Sequence, residues 1–279
     1  MNQQIKSKIQ KILLIFCVML AIYAFFVLRE DFLRFNSSAM GFPLGEIQIT
    51  ENEVDIFLST INVPQDVLQS ANFYKKIAIY AALQEYPNAQ FAFFANEPYV
   101  GGTQNQAIHT NRQIPQSDLT LSVIGVSLND ERNIYAFFPT FTWHRNANIN
   151  SDSFWFALDG TWQREFGNAN LTITGKFGNS SRTWLVNHGG ASILLDRESG
   201  GIGTMYSLNG VNATQFQGTA VFFASPNQAE NATRKISLAY AQDRTLRNNS
   251  PVSVQRVTPF GVFFASQSRF SEMHTILRW

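Results

Sequence analysis

NLTITGKF, residues 170–177, is the stretch that decides the fold. Leu171 and Ile173 alternate with Thr172 and Thr174. Because successive side chains of an extended chain point to opposite faces, one face of this segment is apolar and the other is polar. The pattern predicts a β-strand with one face in a core and the other in solvent.

Short runs of similar character recur through the C-terminal half at intervals of about 8 to 14 residues, which is typical of barrels and sandwiches. They are SFWFAL, TWQREF, TWLVN, ASILL, GTMYSL, TQFQGTAVFF, KISLAY, PVSVQRV and FGVFFA. A closed barrel has no exposed strand edges, which favours it in a chain with 25 Phe and only 15% charged residues. We therefore expect residues 151–279 to form a mainly antiparallel β-barrel. A two-sheet β-sandwich is the alternative that the pattern leaves open.

Residues 47–150 have the pattern of an α+β domain. Thr50 and Glu53 have the spacing of a capping box, which predicts a short helix from residue 51 to about residue 60. A second helix is expected over residues 64–85, with Lys75 and Lys76 off its apolar stripe. Residues 118–143 then read as a β-hairpin, and polar residues 148–152 join the two domains.

The N-terminal end contains ILLIFCVMLAIYAFFVL, residues 12–28, without a charge. A run of this length predicts a single transmembrane helix, and three lysines before it favour a cytoplasmic N-terminus. Residues 1–28 are thus a cytoplasmic stub with an anchor, and residues 29–46 are a stalk with turn-forming Gly and Pro. The expected location is the bacterial inner membrane with the C-terminal part periplasmic. The alternative is a cleaved signal that yields a secreted or surface-exposed protein.

Charge and cysteine content narrow the class of protein. The formal net charge of +1 gives no basic patch for nucleic acid. The one cysteine, Cys17, lies in the apolar run, so the exported part has no disulfide or thiolate metal site. These features favour a bacterial envelope protein.

The sequence carries no catalytic signature. It has no G-x-S-x-G, no His-Glu-x-x-His and no phosphate-binding loop of the Walker type, so we expect no enzyme. Candidate ligand-binding residues are His109 and His188, each in a polar loop where a neutral imidazole can bind a metal or haem. Trp155 is a third candidate, since its neighbours Phe154 and Phe156 point to the opposite face. No cofactor is required by these residues, and no particular metal is indicated.

FGNANLTITGKF, YSLNGVNATQFQGTA and FGVFFASQSRFSEM resemble the recurring pattern of the transferrin-binding protein B type β-barrel. That family includes haemophilin-like haemophores and surface lipoproteins that bind host proteins. The resemblance implies a barrel scaffold and either a host protein or haem as ligand. There is no lipobox, and the Gly-rich closing turn of the family is replaced by Ala265, Ser266 and Gln267. The positions that carry the likeness are Phe166, Gly167, Asn168, Gly175, Phe216, Gly218, Thr219, Ala220, Gly261, Phe263, Phe264 and Glu272.

Together these features predict an extracytoplasmic, non-enzymatic envelope binding protein that recognises a host or envelope protein, or haem. The alternative is a membrane-anchored periplasmic structural or assembly component of a secretion or pilus-type machine. The two differ in where the mature protein is located.

Overall fold

Three helices open the described part of the chain: α1 Glu51–Thr60, α2 Gln65–Ser70 and α3 Phe73–Leu83. The computed structural model describes residues 49–96, 114–129, 131–144, 152–165, 170–186, 202–208, 213–243, 254–258, 261–264 and 270–279. The predicted capping box of α1 is confirmed: the Glu53 amide donates to Thr50 Oγ1 at 3.3 Å, and the Thr50 amide donates to Glu53 Oε2 at 2.8 Å. None of the helices within these residues is long and apolar enough to cross a bilayer, and residues 12–28 lie outside them.

The second predicted helix is wrong in one respect, because it is broken into α2 and α3. Ala71 has extended backbone angles, and Asn72 caps α3 by accepting a hydrogen bond from the Lys75 amide at 3.1 Å. An Asn side chain competes with the backbone for such bonds and therefore begins a new helix. The break resets the helical periodicity, so that Lys75 and Lys76 lie on the buried side of α3.

The described residues form thirteen strands, and every pairing among them is antiparallel. Their bounds are β1 Gln90–Ala95, β2 Leu119–Ser127, β3 Tyr135–Trp143, β4 Ser153–Leu158, β5 Trp162–Arg164, β6 Asn170–Phe177, β7 Ser180–Val186, β8 Ile202–Ser207, β9 Thr214–Pro226, β10 Lys235–Asp243, β11 Val254–Thr258, β12 Gly261–Phe264 and β13 Phe270–Arg278. The predicted hairpin is confirmed as β2 and β3.

The strands form two main sheets and a ribbon. Sheet A has the order β1-β2-β3-β9-β6-β7, with β5 also paired to β9, and sheet B has the order β13-β10-β4-β8. β11 and β12 form the ribbon. Residues 41–279 make one compact unit, and β3 pairs with β9, so the predicted boundary near residue 150 falls between strands that share a sheet.

Sheet A is the middle of three layers. On one face of sheet A, Phe138 belongs to the same apolar cluster as Leu58 of α1 and Ile79 of α3. On the other face, Phe137 belongs to the same apolar cluster as Phe154 of sheet B. Large aromatic side chains fill the space between the two sheets, as in a sandwich. The predicted closed barrel is therefore wrong for the described residues, whose sheets are open, and the sandwich alternative is the better description.

The chain passes from sheet B to sheet A at the turn formed by Asp159 and Gly160. The sequence there is typical of a two-residue hairpin. In the structure β4 pairs only within sheet B, whereas β5 pairs with β9 of sheet A. Asp159 Oδ1 accepts from the Thr161 amide at 2.9 Å, and the turn carries the chain from one sheet to the other.

Candidate functional site

The three residues predicted to bind a ligand are not brought together by the described part of the chain. His109 and His188 lie outside the described residues. Trp155 is 0% exposed, and its predicted role in ligand binding stays a prediction. Phe154 and Phe156 do point into the space between the sheets, but the opposite side of β4 is also covered, since Ser153 and Ala157 are buried there. Alternation tells which face a side chain lies on, and not whether that face meets solvent.

A polar surface lies instead on the helix-facing side of sheet A. Ile124 and Phe138 on this side pack under the helices, and further along the same strands the side chains become hydroxyls and an amide. Adjacent strands are about 4.8 Å apart, and residues two apart along a strand are about 7 Å apart, so these side chains form two parallel rows. The inner row consists of Ser122, Thr140, Thr219 and Thr172, and the outer row consists of Thr120, Thr142, Gln217, Thr174 and Thr183.

The two rows differ in their access to solvent. In the inner row Thr140 is 1% exposed and Thr219 is 3% exposed, and their Oγ1 atoms are 3.3 Å apart. In the outer row Thr120, Thr142, Gln217 and Thr183 are half-buried, whereas Thr174 is 8% exposed. Thr172 of the inner row is half-buried as well. The half-buried residues of the outer row, with Thr172 beside them, are therefore the part of this polar surface that a partner can reach.

Two side-chain contacts, one at the end of the outer row and one at its middle, hold the row in place. His144 Nε2 lies 2.6 Å from Thr120 Oγ1. Gln217 Nε2 donates to Asn72 Oδ1 at 2.5 Å, and the same oxygen caps α3. The N-terminal end of α3 is thus tied to the strand that crosses the middle of the row.

Two adjacent lysines of α3 have opposite environments. Lys76 Nζ lies 2.9 Å from Glu51 Oε1 and 2.9 Å from Asp55 Oδ1. Burial opposes the charge of Lys76, but hydrogen bonds to Asp55 and Glu51 outweigh it and raise its pKa. Lys75 is 7% exposed, and burial lowers its pKa to about 8.

Lys75 lies at the inner row. Its Nζ is 3.4 Å from Ser122 Oγ and 5.4 Å from the centre of the Phe94 ring. Within the described residues no carboxylate lies at ion-pair distance from this ammonium. Sequence reasoning missed Lys75, because the expected continuous helix places it off the buried stripe.

The chemistry available here is that of binding. The rows offer neutral donors and acceptors, with one buried cation behind them. Within the described part of the chain, no group of His, Cys, Asp and Glu is arranged to hold a metal ion. Ser122 and Lys75 resemble a nucleophile with a base, but no third described group orients the amine.

No protein-family model matches the chain, and no curated protein matches it. Among solved structures, the collagen binding subdomain of the Enterococcus faecalis surface protein ACE is 9% identical, with a TM-score of 0.30 over 59% of this chain and 96% of that chain. The collagen binding domain of Erysipelothrix rhusiopathiae surface protein RspB is 10% identical, with a TM-score of 0.31 over 55% of this chain and 47% of that chain. The collagen-binding domain of a Staphylococcus aureus adhesin is 8% identical, with a TM-score of 0.26 over 50% of this chain and 86% of that chain. Likenesses this weak assign neither a ligand nor a partner to this chain.

Proposed function

We propose that this chain is an extracytoplasmic, non-enzymatic binding protein of the bacterial envelope, which recognises a protein partner through the outer row. The observation that carries the proposal is the alignment of Thr120, Thr142, Gln217, Thr174 and Thr183 across five adjacent strands. Hydroxyl and amide groups donate and accept hydrogen bonds, which suits the alternating donors and acceptors of a polypeptide backbone.

The composition of the row favours a protein over haem as the partner. A haem site needs an axial ligand and an apolar pocket. The described surface offers hydroxyl groups instead, and the two histidines proposed for haem, His109 and His188, lie outside the described residues. Haem binding and the resemblance to transferrin-binding protein B type barrels therefore stay predictions.

The proposed location is the inner membrane, with residues 12–28 as a single-pass anchor and the C-terminal part in the periplasm. Cleavage of that segment would instead release a secreted or surface-exposed protein, which suits ligand capture. Retention suits the alternative of a structural or assembly component. Fractionation of a Gram-negative host that expresses the full chain, with the intact mass of the product, distinguishes these outcomes.

Binding by the outer row is tested with the full-length chain on an array of extended peptides that range from acidic through neutral to basic. We expect the double variant Thr142→Val and Thr183→Val to lose about tenfold or more in affinity, since each lost hydrogen bond contributes about 1 kcal/mol. Valine keeps the shape of threonine. The matched control is Ser59→Ala with Thr60→Val, at exposed positions of α1. Equal affinity of the double variant and the control variant would contradict the proposal.

A visible spectrum with added haemin tests the other ligand on the same preparation. A Soret band that disappears in His109→Ala or His188→Ala, together with no peptide binding on the array, would establish haem as the ligand and contradict the proposal. Peptide binding without such a band supports the proposal.

A further inference from the structure

Lys75 is a buried cation whose described surroundings contain no anion. The groups that face its Nζ are the Ser122 hydroxyl at 3.4 Å and the Phe94 ring at 5.4 Å. Lys76, the next residue, has two carboxylates for the same charge. Burying an ammonium costs free energy unless an anion pairs with it. Lys76 has such anions within the described residues and Lys75 does not, which indicates that the anion for Lys75 comes from a binding partner.

The position of Lys75 connects it to the accessible outer row. Ser122 lies two residues along β2 from Thr120 and directly opposite Thr140 on β3. Thr120 is half-buried, so the hydroxyl that contacts Lys75 is about 7 Å from the solvent edge of the sheet. An extended glutamate side chain, together with the length of the hydrogen bond that it accepts, covers about that distance from a partner segment that lies across the outer row.

We propose that this surface includes a carboxylate subsite, in which Lys75 Nζ and the Ser122 hydroxyl bind one acidic side chain of the partner. The inference rests on the proposed function and adds to it the charge of the partner. An ammonium and a hydroxyl both donate to a carboxylate, and charge-assisted bonds of this kind are about twice as strong as neutral ones. One cation matches one carboxylate, whereas a phosphate dianion would leave a charge unpaired.

The probe is N-acetylglutamic acid amide, which carries a single side-chain carboxylate, and its neutral isostere is N-acetylglutamine amide. The measurement is the pKa of Lys75 from the ¹³Cε NMR signal of the full-length chain, assigned by its absence in Lys75→Met. We expect the acidic probe to raise this pKa by about 1 to 3, as an opposite charge within 4–6 Å does. We expect the neutral probe to leave it unchanged. The Lys76 signal is the internal control and stays fixed with both.

The inference is overturned if the acidic probe leaves the Lys75 signal unchanged, if both probes shift it equally, or if Lys76 moves with it. Ser122→Ala provides a second variant, which keeps Lys75 but removes the hydroxyl. We expect the acidic probe to raise the pKa of Lys75 in this variant only at a higher probe concentration.

Failure of this inference and failure of the proposed function give different results. If Lys75→Met binds acidic peptides on the array as well as the unmodified chain does, while the double threonine variant loses binding, the outer row stands and the subsite does not. If no peptide binds but the acidic probe still shifts Lys75, the carboxylate subsite stands and the proposed protein partner does not.

Discussion

Lys75→Met is expected to stabilise the protein at neutral pH, although it removes a charged group and its contacts. Burial lowers the pKa of Lys75 from its ordinary value of 10.5 to about 8. At about 1.4 kcal/mol for each pH unit, this difference corresponds to a penalty of about 3 kcal/mol for holding the charge in the folded state. The variant gives up a long hydrogen bond to Ser122 and a cation–π contact with Phe94 of about 1 kcal/mol. The net gain is about 2 kcal/mol.

The sign of the pH dependence follows from the direction of the shift. Below pH 8 the amine is protonated in both folded and unfolded chains, and the whole penalty is present. Between about 8 and 10.5 the folded chain loses this proton while the unfolded chain keeps it, so stability of the unmodified protein rises with pH. The advantage of Lys75→Met therefore shrinks across that window and is absent above it.

Urea unfolding of the full-length chain in a mild detergent, at pH 7, 8, 9 and 10, measures this advantage as a difference between variant and unmodified protein. Burial raises the pKa values of Tyr206 and Tyr240, but these groups are present in both proteins and cancel in the difference. Lys76→Met is the control and is expected to lower stability by about 1 kcal/mol, because its two carboxylates are partly exposed and their attraction is screened. A Lys75→Met protein that is less stable at pH 7, or a difference that does not change with pH, would refute the reasoning.

Three further changes are expected to alter stability measurably. Gly218→Ala places a Cβ 2.3 Å from Phe141 Cε1, which should cost about 1–3 kcal/mol in urea unfolding, and an unchanged midpoint would contradict the close approach. Asp159→Ala removes the oxygen that accepts hydrogen bonds from the Thr161 amide and hydroxyl, and it should lower the free energy of unfolding by about 1–3 kcal/mol. Asp159→Asn keeps an accepting oxygen and should lower it by less. Burial lowers the pKa of His274 to about 4, so stability should fall as pH drops from 6.5 to 4, by up to about 3 kcal/mol more in the unmodified protein than in His274→Asn.

Local features of the fold were predictable from the sequence because neighbouring residues decide them. The alternation of residues 170–177 predicted β6, with Leu171 and Ile173 buried and Thr172 half-buried. The capping box at Thr50 predicted the start of α1. Both features depend on contacts within a few residues of each other.

Sheet order was not predictable in the same way, because it depends on pairings far apart in the sequence. The Asp159 turn has the composition of a hairpin, and only the pairing of β4 with β10 and of β5 with β9 shows that the chain changes sheets there. The burial of Trp155 was not predictable for a related reason, since it depends on what covers that side of sheet B.

Part of the candidate site was predictable from the sequence. Thr172 and Thr174 were expected on the wet face of their strand, and that face is the one that carries both rows. Their alignment with Thr140 and Thr142 requires the register of β9 between them, which no local pattern specifies. The burial of Lys75 was not predictable, because a new helix begins after Asn72. This break rotates the buried side of α3 away from the apolar stripe expected of a continuous helix.

The contrast between Lys75 and Lys76 links stability to the proposed function. Both lysines are buried on the same turn of α3, yet one has two carboxylates and the other faces a hydroxyl and a ring. A penalty of about 3 kcal/mol is a large part of the roughly 5–15 kcal/mol by which domains are stable, and methionine would avoid it. A partner carboxylate that pairs with Lys75 recovers this energy on binding, so the same charge that weakens the free protein strengthens the complex. Lys75 therefore lowers the stability of the free protein, and it is also the residue that we expect to select the partner.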